Sequence, residues 1–282
     1  MLTDDAHQEP LVRVAASVTL YNSSPSCIDA IATYQHQVER IYLIDNSEQP
    51  NSLLLTQLTS WPNVRYISQQ GNQGVGAALN QAAQLAIADG FDFLLTMDDD
   101  TALPPEAVRT LLSAAASVAG RAGIVSGVHS PVNHAGASRP VLYTMTSGNL
   151  LDLSIYQRVG PFRADFFIDH LDHEYGLRLN KAGFQVLEIP GLRLQHQLGE
   201  RKPSGWGTYQ YTSHAPVRGY YIMRNGLIVA KLYPDFRRRA ATLAIKEWLK
   251  ALLFEDHKIQ RLRLLWRGGV DAWRGRLGKY NP

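Results

Sequence analysis

A single cysteine, Cys27, is all the thiol chemistry in the 282 residues. An intrachain disulfide is thereby excluded, and the chain suits a reducing compartment. No stretch approaches the ~18 apolar residues of a membrane-spanning helix. Met1–Pro10 is polar and acidic, which is wrong for a signal peptide. The glycine-rich Gly71–Gly76 stretch, GNQGVG, lacks the G-x-G-x-x-G spacing and argues against a dinucleotide cofactor. Tyr21–Ser26 holds no Lys or Arg, so the basic phosphate loop of a nucleotidyltransferase is missing after the first strand. There is no internal repeat and no low-complexity linker.

What is present suits one large α/β domain with an appendage: 45% of the residues are hydrophobic. The net charge of +3 hides an asymmetry. Residues 1–233 carry 16 Lys/Arg against 20 Asp/Glu, net −4, while residues 234–282 carry 12 against 5, net +7. An acidic main body speaks against a nucleic-acid partner. The basic tail is a separate question.

The centre of the sequence is Phe91–Thr101, FDFLLTMDDDT. Phe91–Met97 reads as a buried strand. It ends in Asp98, Asp99 and Asp100, and Pro104-Pro105-Glu106 then starts a helix. Ligands of open α/β sheets bind just past the carboxyl ends of strands. Three carboxylates there repel one another unless a cation sits among them. Hard divalent ions take one or two carboxylates plus substrate phosphate oxygens, so the triplet points to a metal-diphosphate site.

Strands are expected at Val12–Leu20, Arg40–Ile44 and Val64–Ile67, each followed by a helix, and at Phe91–Met97. The alternation predicts a parallel sheet with right-handed crossovers. Further on, helices are expected at Ala107–Ala119 and Ser154–Val159. Strands are expected at Gly123–Val128, Val141–Thr146, Gln185–Ile189 and towards His196, with a loop at Ser130–Pro140. An amphipathic helix occupies the later part of Phe166–Phe184 and is preceded by Asp169, Asp172 and Glu174.

Several ordered pieces resemble the inverting, metal-dependent family 2 glycosyltransferases of the GT-A fold, above all their bacterial rhamnosyltransferase branch. The pieces are Val18–Asn22, Ile44–Ser47, Gly71–Gly74, Leu95–Asp100, Ser147–Asn149, Phe167–Leu179, His196 with Gly199-Glu200, and His214–Asn225. The resemblance implies a mostly parallel central sheet flanked by helices over about residues 10–230. Residues 231–282 would form a basic, helical C-terminal extension. It implies a nucleoside diphosphate sugar donor, with dTDP-rhamnose as the preferred one, a UDP-sugar as the alternative and a nucleotidyltransferase as the remoter one. Asp98 and Asp100 would be the DxD pair holding Mg²⁺ or Mn²⁺, with His196 as a third metal contact. Thr19, Tyr21, Asn22, Asp45, Asn46, Gly71, Asn72, Gly74, Asp98 and Arg224 would contact the donor. Ser147, Gly148, Asn149 and Glu174 would contact the acceptor.

An inverting transfer needs one base to take the proton of the acceptor hydroxyl. Asp169, Asp172 and Glu174 are the candidates by position, and the resemblance points to Asp172, with Asp169 close enough to share the site. In the tail, Trp248, Leu249, Leu252, Leu253, Leu262, Leu265, Trp266 and Trp273 are interleaved with Arg and Lys. Basic amphipathic helices with tryptophan suit an anionic membrane surface. The other reading is packing on the main domain or across a homo-oligomer. The expected place is the cytoplasm, peripheral on the inner face of a bacterial membrane. The acceptor would be a lipid-linked saccharide or a growing surface polysaccharide.

Overall fold

The computed structural model describes residues 12–118, 120–129, 136–196, 200–203 and 210–282. Met1–Pro10, Ala119, the first part of the Ser130–Pro140 loop, and Gly199 lie outside the described residues.

The chain opens as expected, with β1 (Val14–Leu20), α1 (Cys27–Gln35), β2 (Arg40–Asp45), α2 (Ser52–Thr59), β3 (Val64–Ser68), α3 (Val75–Ala88) and β4 (Phe93–Asp98). β5 (Thr101–Ala102), α4 (Ala107–Ala116), β6 (Ala122–Val128), β7 (Arg139–Val141), β8 (Asn149–Asp152) and α5 (Leu153–Val159) follow. Then come α6 (Leu171–Lys181), β9 (Gln185–Arg193), β10 (Gln195–His196), β11 (Glu200–Pro203) and β12 (Gln210–Ser213). The chain finishes with α7 (Pro216–Leu232), α8 (Arg237–Leu253) and α9 (Lys258–Trp273).

Eight strands form one sheet in the order β3-β2-β1-β4-β8-β6-β9-β7. β1–β4 and the β6–β9 pair are parallel. β8 runs antiparallel between β4 and β6, and β7 is an antiparallel edge strand on β9. The apolar strand runs follow from this arrangement, because a sheet covered on both faces buries every position. Alternate side chains supply two cores. Val14, Ala16, Val18, Ile41, Leu43 and Leu95 meet α1, α2 and α4 on one face. Ala15, Tyr42, Ile44 and Leu94 meet α3, α5 and α6 on the other.

The region Val141–Thr146 departs from its strand expectation. Only Val141 belongs to a strand, and the strand that matters is β8, which begins within the Ser147-Gly148-Asn149 motif. Gly148, at φ 76°, turns the chain, and its N–H donates to the Thr96 carbonyl at 2.8 Å, which starts β8 against β4. Leu142 and Tyr143 instead lie against α6, with Tyr143 edge-on to His173 at 4.0 Å between centroids.

The basic tail packs on the main body. Phe236 and Ala240 join the second core, and Leu264 and Leu265 of α9 pack with Tyr220, Tyr221 and Met223 of α7. Among the described residues, no helix is long and apolar enough to cross a membrane.

Candidate active site

The carboxyl ends of β1 and β4 open on a cleft of about 630 Å³. Thr19 and Tyr21 line it from the end of β1, Asn72 and Gly74 from the glycine-rich turn, and Asp98, Asp99 and Asp100 from the end of β4. The far wall is Phe167, Ile168, Thr212, His214 and Arg218. A second space of about 430 Å³ adjoins it, sharing Val75, Asp98, Met145, Ile168 and Arg218. Asp169, Asp172, His170 and His173 line that second space. The aspartates after β4 and those before and within α6 thus face one continuous cleft, with Asp98 at the join.

The aspartate turn is held from below. Ser147 donates its hydroxyl to Thr101 Oγ1 at 2.8 Å and accepts from the Asp98 N–H at 2.9 Å. The Ser23 hydroxyl donates to Asp99. The β5–β10 ladder pairs His196 with Thr101, so the His196 backbone lies across from the residue that follows Asp100. Its side chain lies outside the described residues. The donor chemistry of the turn is two or three hard carboxylate oxygens, which fits Mg²⁺ or Mn²⁺ with its remaining positions taken by water and phosphate. Among the described residues, no cluster of three His, Cys, Asp or Glu side chains is arranged to hold an ion by itself.

Several expected contact residues support the cleft from behind. Asp45 is buried and accepts from the Ser47 N–H and from Tyr66 Oη. Asn46 is buried too; its Nδ2 donates to the Gly74 carbonyl and its Oδ1 accepts from the Gln73 N–H, so it fixes the glycine-rich turn. Asn22, at φ 51°, donates its N–H to Ser47 Oγ. Gly71 is not among the residues lining the cleft. Ser147, Gly148 and Asn149 are buried beneath the aspartate turn rather than lining the acceptor side.

Two expectations need correcting. Arg224 does not face a donor: it is 1% exposed, and its guanidinium donates to the carbonyls of Phe166 and Gly278 and to Asn225 Oδ1. Glu174 does not face an acceptor: it is buried, bridged to Arg178 at 2.8 Å, and accepts from Tyr233 Oη.

The loop before α6 is strained. Phe167, Asp169 and His170 all have positive φ, at 67°, 62° and 63°. Left-handed non-glycine residues cost about 1–3 kcal/mol each unless the surroundings impose them. Asn225 imposes them here: its Nδ2 lies 2.8–3.0 Å from the carbonyls of Phe166, Ile168 and Asp169. The Val75 N–H donates to the Phe167 carbonyl at 2.8 Å, and Gly74 passes so close that a Cβ there would meet that carbonyl at 2.6 Å.

The loop sorts its two acids. Asp169 is held by Arg218 in a two-point ion pair, at 2.5 and 3.2 Å. Asp172, in the first turn of α6, accepts from the His173 N–H at 2.8 Å. Burial pushes the Asp172 pKa up, against the His173 N–H, whose donated hydrogen bond pulls it down. Burial also pushes His170 and His173 down to about 4, so both stand neutral beside it. A carboxylate of raised basicity in a cleft is suited to accept a proton; one clamped by arginine is suited to hold geometry.

Arg218, Phe167, His214 and Thr212 are cleft residues that the sequence reading did not single out as ligands. Arg218, Phe167 and His214 fall within quoted motifs; Thr212 lies on β12, where no motif draws attention to it.

The fold and the cleft define a GT-A glycosyltransferase domain. A profile described as glycosyl transferase family 2 matches residues 18–171, more than half of the chain, and the chain belongs to that family. The dTDP-rhamnosyl transferase RfbF of Shigella flexneri is 22% identical over 238 residues, covering 77% of this chain and 80% of RfbF. Among solved structures, GalNAc-T7 with UDP, GalNAc and Mn²⁺ superposes with a TM-score of 0.60 at 14% identity, over 86% of this chain. This chain spans about half of that one, 51%. S. aureus TarS 1–349 with UDP-GlcNAc superposes at 0.52 and 12% identity, over 94% of this chain and 73% of that chain.

Proposed function

We propose that the chain is an inverting, metal-dependent rhamnosyltransferase that moves L-rhamnose from dTDP-rhamnose to a hydroxyl of a lipid-linked saccharide or growing surface glycan. The observation that carries this is the joined cleft, with Asp98–Asp100 in one part, Asp172 in the other and Asp98 common to both. Family membership supplies the reaction type, and similarity to RfbF supports the donor. The solved neighbours that hold UDP or UDP-GlcNAc support a second reading, a UDP-sugar donor on the same site.

Tyr21 lines the cleft and is 48% exposed, free to cover a nucleoside base. Thr19 lies beside it at the end of β1, and Asn72 and Gly74 bring backbone close to the donor. Asp98 and Asp100, with His196 as a third contact, would hold Mg²⁺ or Mn²⁺, which when bound would supply Lewis-acid stabilisation to the leaving diphosphate. Asp172 takes the proton of the attacking acceptor hydroxyl, from the side of the cleft away from the aspartate turn. Asp169, fixed by Arg218, shapes the acceptor side.

The exposed apolar face of the tail suits an anionic membrane on which a lipid-linked acceptor is presented. The test of donor and reaction is a panel of sugar nucleotides assayed for Mg²⁺- or Mn²⁺-dependent transfer and hydrolysis. dTDP-rhamnose is expected to be turned over fastest, with EDTA abolishing the rate. Faster turnover of UDP-GlcNAc or another UDP-sugar selects the second reading, and full activity in excess EDTA overturns the metal role.

A further inference from the structure

The segment after α9 returns to the donor side of the cleft. Three hydrogen bonds fix its path: the Gly278 N–H donates to the Asp165 carbonyl at 2.7 Å, the Gly278 carbonyl accepts from Arg224 at 2.7 Å, and the Tyr280 N–H donates to Tyr221 Oη at 2.7 Å. The Tyr280 ring packs on Tyr220 with centroids 4.5 Å apart. Lys279 is therefore carried between two anchored residues. Its Nζ donates to the Asn72 carbonyl at 3.2 Å and lies 5.7 Å from the centre of the Phe167 ring. Asn72 and Phe167 both line the cleft that holds Asp98 and Asp100.

Three aspartates face the space, Arg218 is committed to Asp169, and burial and the neighbouring Arg218 push His214 down to about 4, leaving it neutral. Lys279 is a cation at the rim that is exposed, pre-positioned and not in an ion pair with any described carboxylate in contact with the cleft. An ammonium keeps three donors, and only one is used on the Asn72 carbonyl.

We propose that Lys279 contacts the diphosphate of the nucleoside diphosphate sugar, so that the segment after α9 completes the donor site. This rests on the reading of the cleft as a nucleotide-sugar site, and goes beyond it in recruiting a residue from outside the region that the family profile matches. Arg224, expected at the donor, then acts one step back: it ties Gly278 to the Phe166 carbonyl and so aligns the segment with the strained loop.

The test is calorimetric binding of dTDP in Mg²⁺ to wild type, Lys279→Gln and Lys279→Arg, with melting temperatures measured on each. A hydrogen bond to a charged partner predicts about 10-fold weaker dTDP binding in Lys279→Gln. Lys279→Arg is expected to stay within about 3-fold of wild type, and all three to melt together. Unchanged dTDP affinity in Lys279→Gln, whether or not the protein melts earlier, overturns the assignment. So does an arginine variant as weak as the glutamine one. A wild type that binds no nucleoside diphosphate sinks the reading of the cleft, and this proposal with it.

Discussion

At the scale of single residues the cleft turns on which carboxylate is free to work. Asp169, Asp172 and Glu174 lie within six positions, yet their partners separate them. Arg218 holds Asp169, Arg178 holds Glu174, and Asp172 accepts from a backbone N–H with two neutral histidines beside it and no arginine or lysine bridge among the described residues. Asp172→Asn is expected to lower kcat by about 10²–10⁴ while leaving dTDP affinity within a factor of two. Glu174→Gln is expected to keep kcat but to melt earlier, because it weakens a buried ion pair. A near-normal rate for Asp172→Asn beside a dead Asp169→Asn would transfer the role to Asp169. The histidines carry a stability consequence. His170, His173 and His214 fall from an ordinary 6.5 to about 4 in the fold. The unfolded chain therefore binds their protons first, and stability is full above pH 6.5 and drains as pH falls towards 4, by up to about 1.4 kcal/mol per group per pH unit. Asp172, with its pKa raised by burial, works in the opposite direction over the lower part of that range. Urea midpoints measured from pH 7.5 to 4.5 are expected to slope downward; a flat profile would show that these histidines are not kept neutral.

At the scale of elements, the loop before α6 and the first ten residues of α7 act as one unit. Its strain is imposed by Asn225, one amide on three carbonyls. Asn225→Ala leaves those carbonyls without that donor in a buried place, at about 1–3 kcal/mol, and lets Phe167, Asp169 and His170 relax out of the left-handed region. The expected outcome is a large loss of kcat in protein that is still folded by circular dichroism, with dTDP binding reduced much less. Retained kcat would show that the loop is held without this clamp. None of this was legible in the sequence, because positive φ at Phe167 or Asp169 has no signature in residue type. The first four strands were legible: strands covered on both faces leave unbroken apolar runs such as VAASVTL and RIYLID. β8 was missed because four residues, NLLD, show no period, and because Ser147–Asn149 reads as a binding loop when it is the turn that starts a strand. The aspartate turn was legible by its place after an apolar strand. Arg224 was misplaced because an arginine near a family motif reads as a phosphate ligand, and only the fold reveals that carbonyls surround it.

At the scale of the whole molecule, the charge asymmetry has a shape. α9 turns Leu264 and Leu265 inward and leaves Ile259, Trp266 and Trp273 outward, at 86%, 68% and 84% exposure. The three are seven residues apart, which puts them in one row along the helix. Arg263 falls in the same row, between the first two, and Arg274 follows the last. The one acid of α9, Asp271, is buried and accepts from Tyr220 Oη, so no exposed carboxylate on α9 opposes an anionic surface. Ile245, Leu249, Leu252 and Leu253 of α8 add exposed apolar area. Interfacial binding grows with buried apolar area and with attraction to anionic lipid. The protein is expected to co-sediment with vesicles of phosphatidylglycerol far better than with phosphatidylcholine, and to lose much of that binding in 0.5 M salt. The double variant Trp266→Ala/Trp273→Ala should bind anionic vesicles at least about 10-fold more weakly, since each tryptophan forfeits on the order of 1 kcal/mol or more of apolar transfer. Transfer to a short soluble acceptor should be unchanged in that variant, because neither tryptophan lines the cleft. Equal binding of wild type and variant to both kinds of vesicle would remove the membrane from the account. If wild type then sediments as a dimer and the variant as a monomer, the same face is an interface between two copies of the chain.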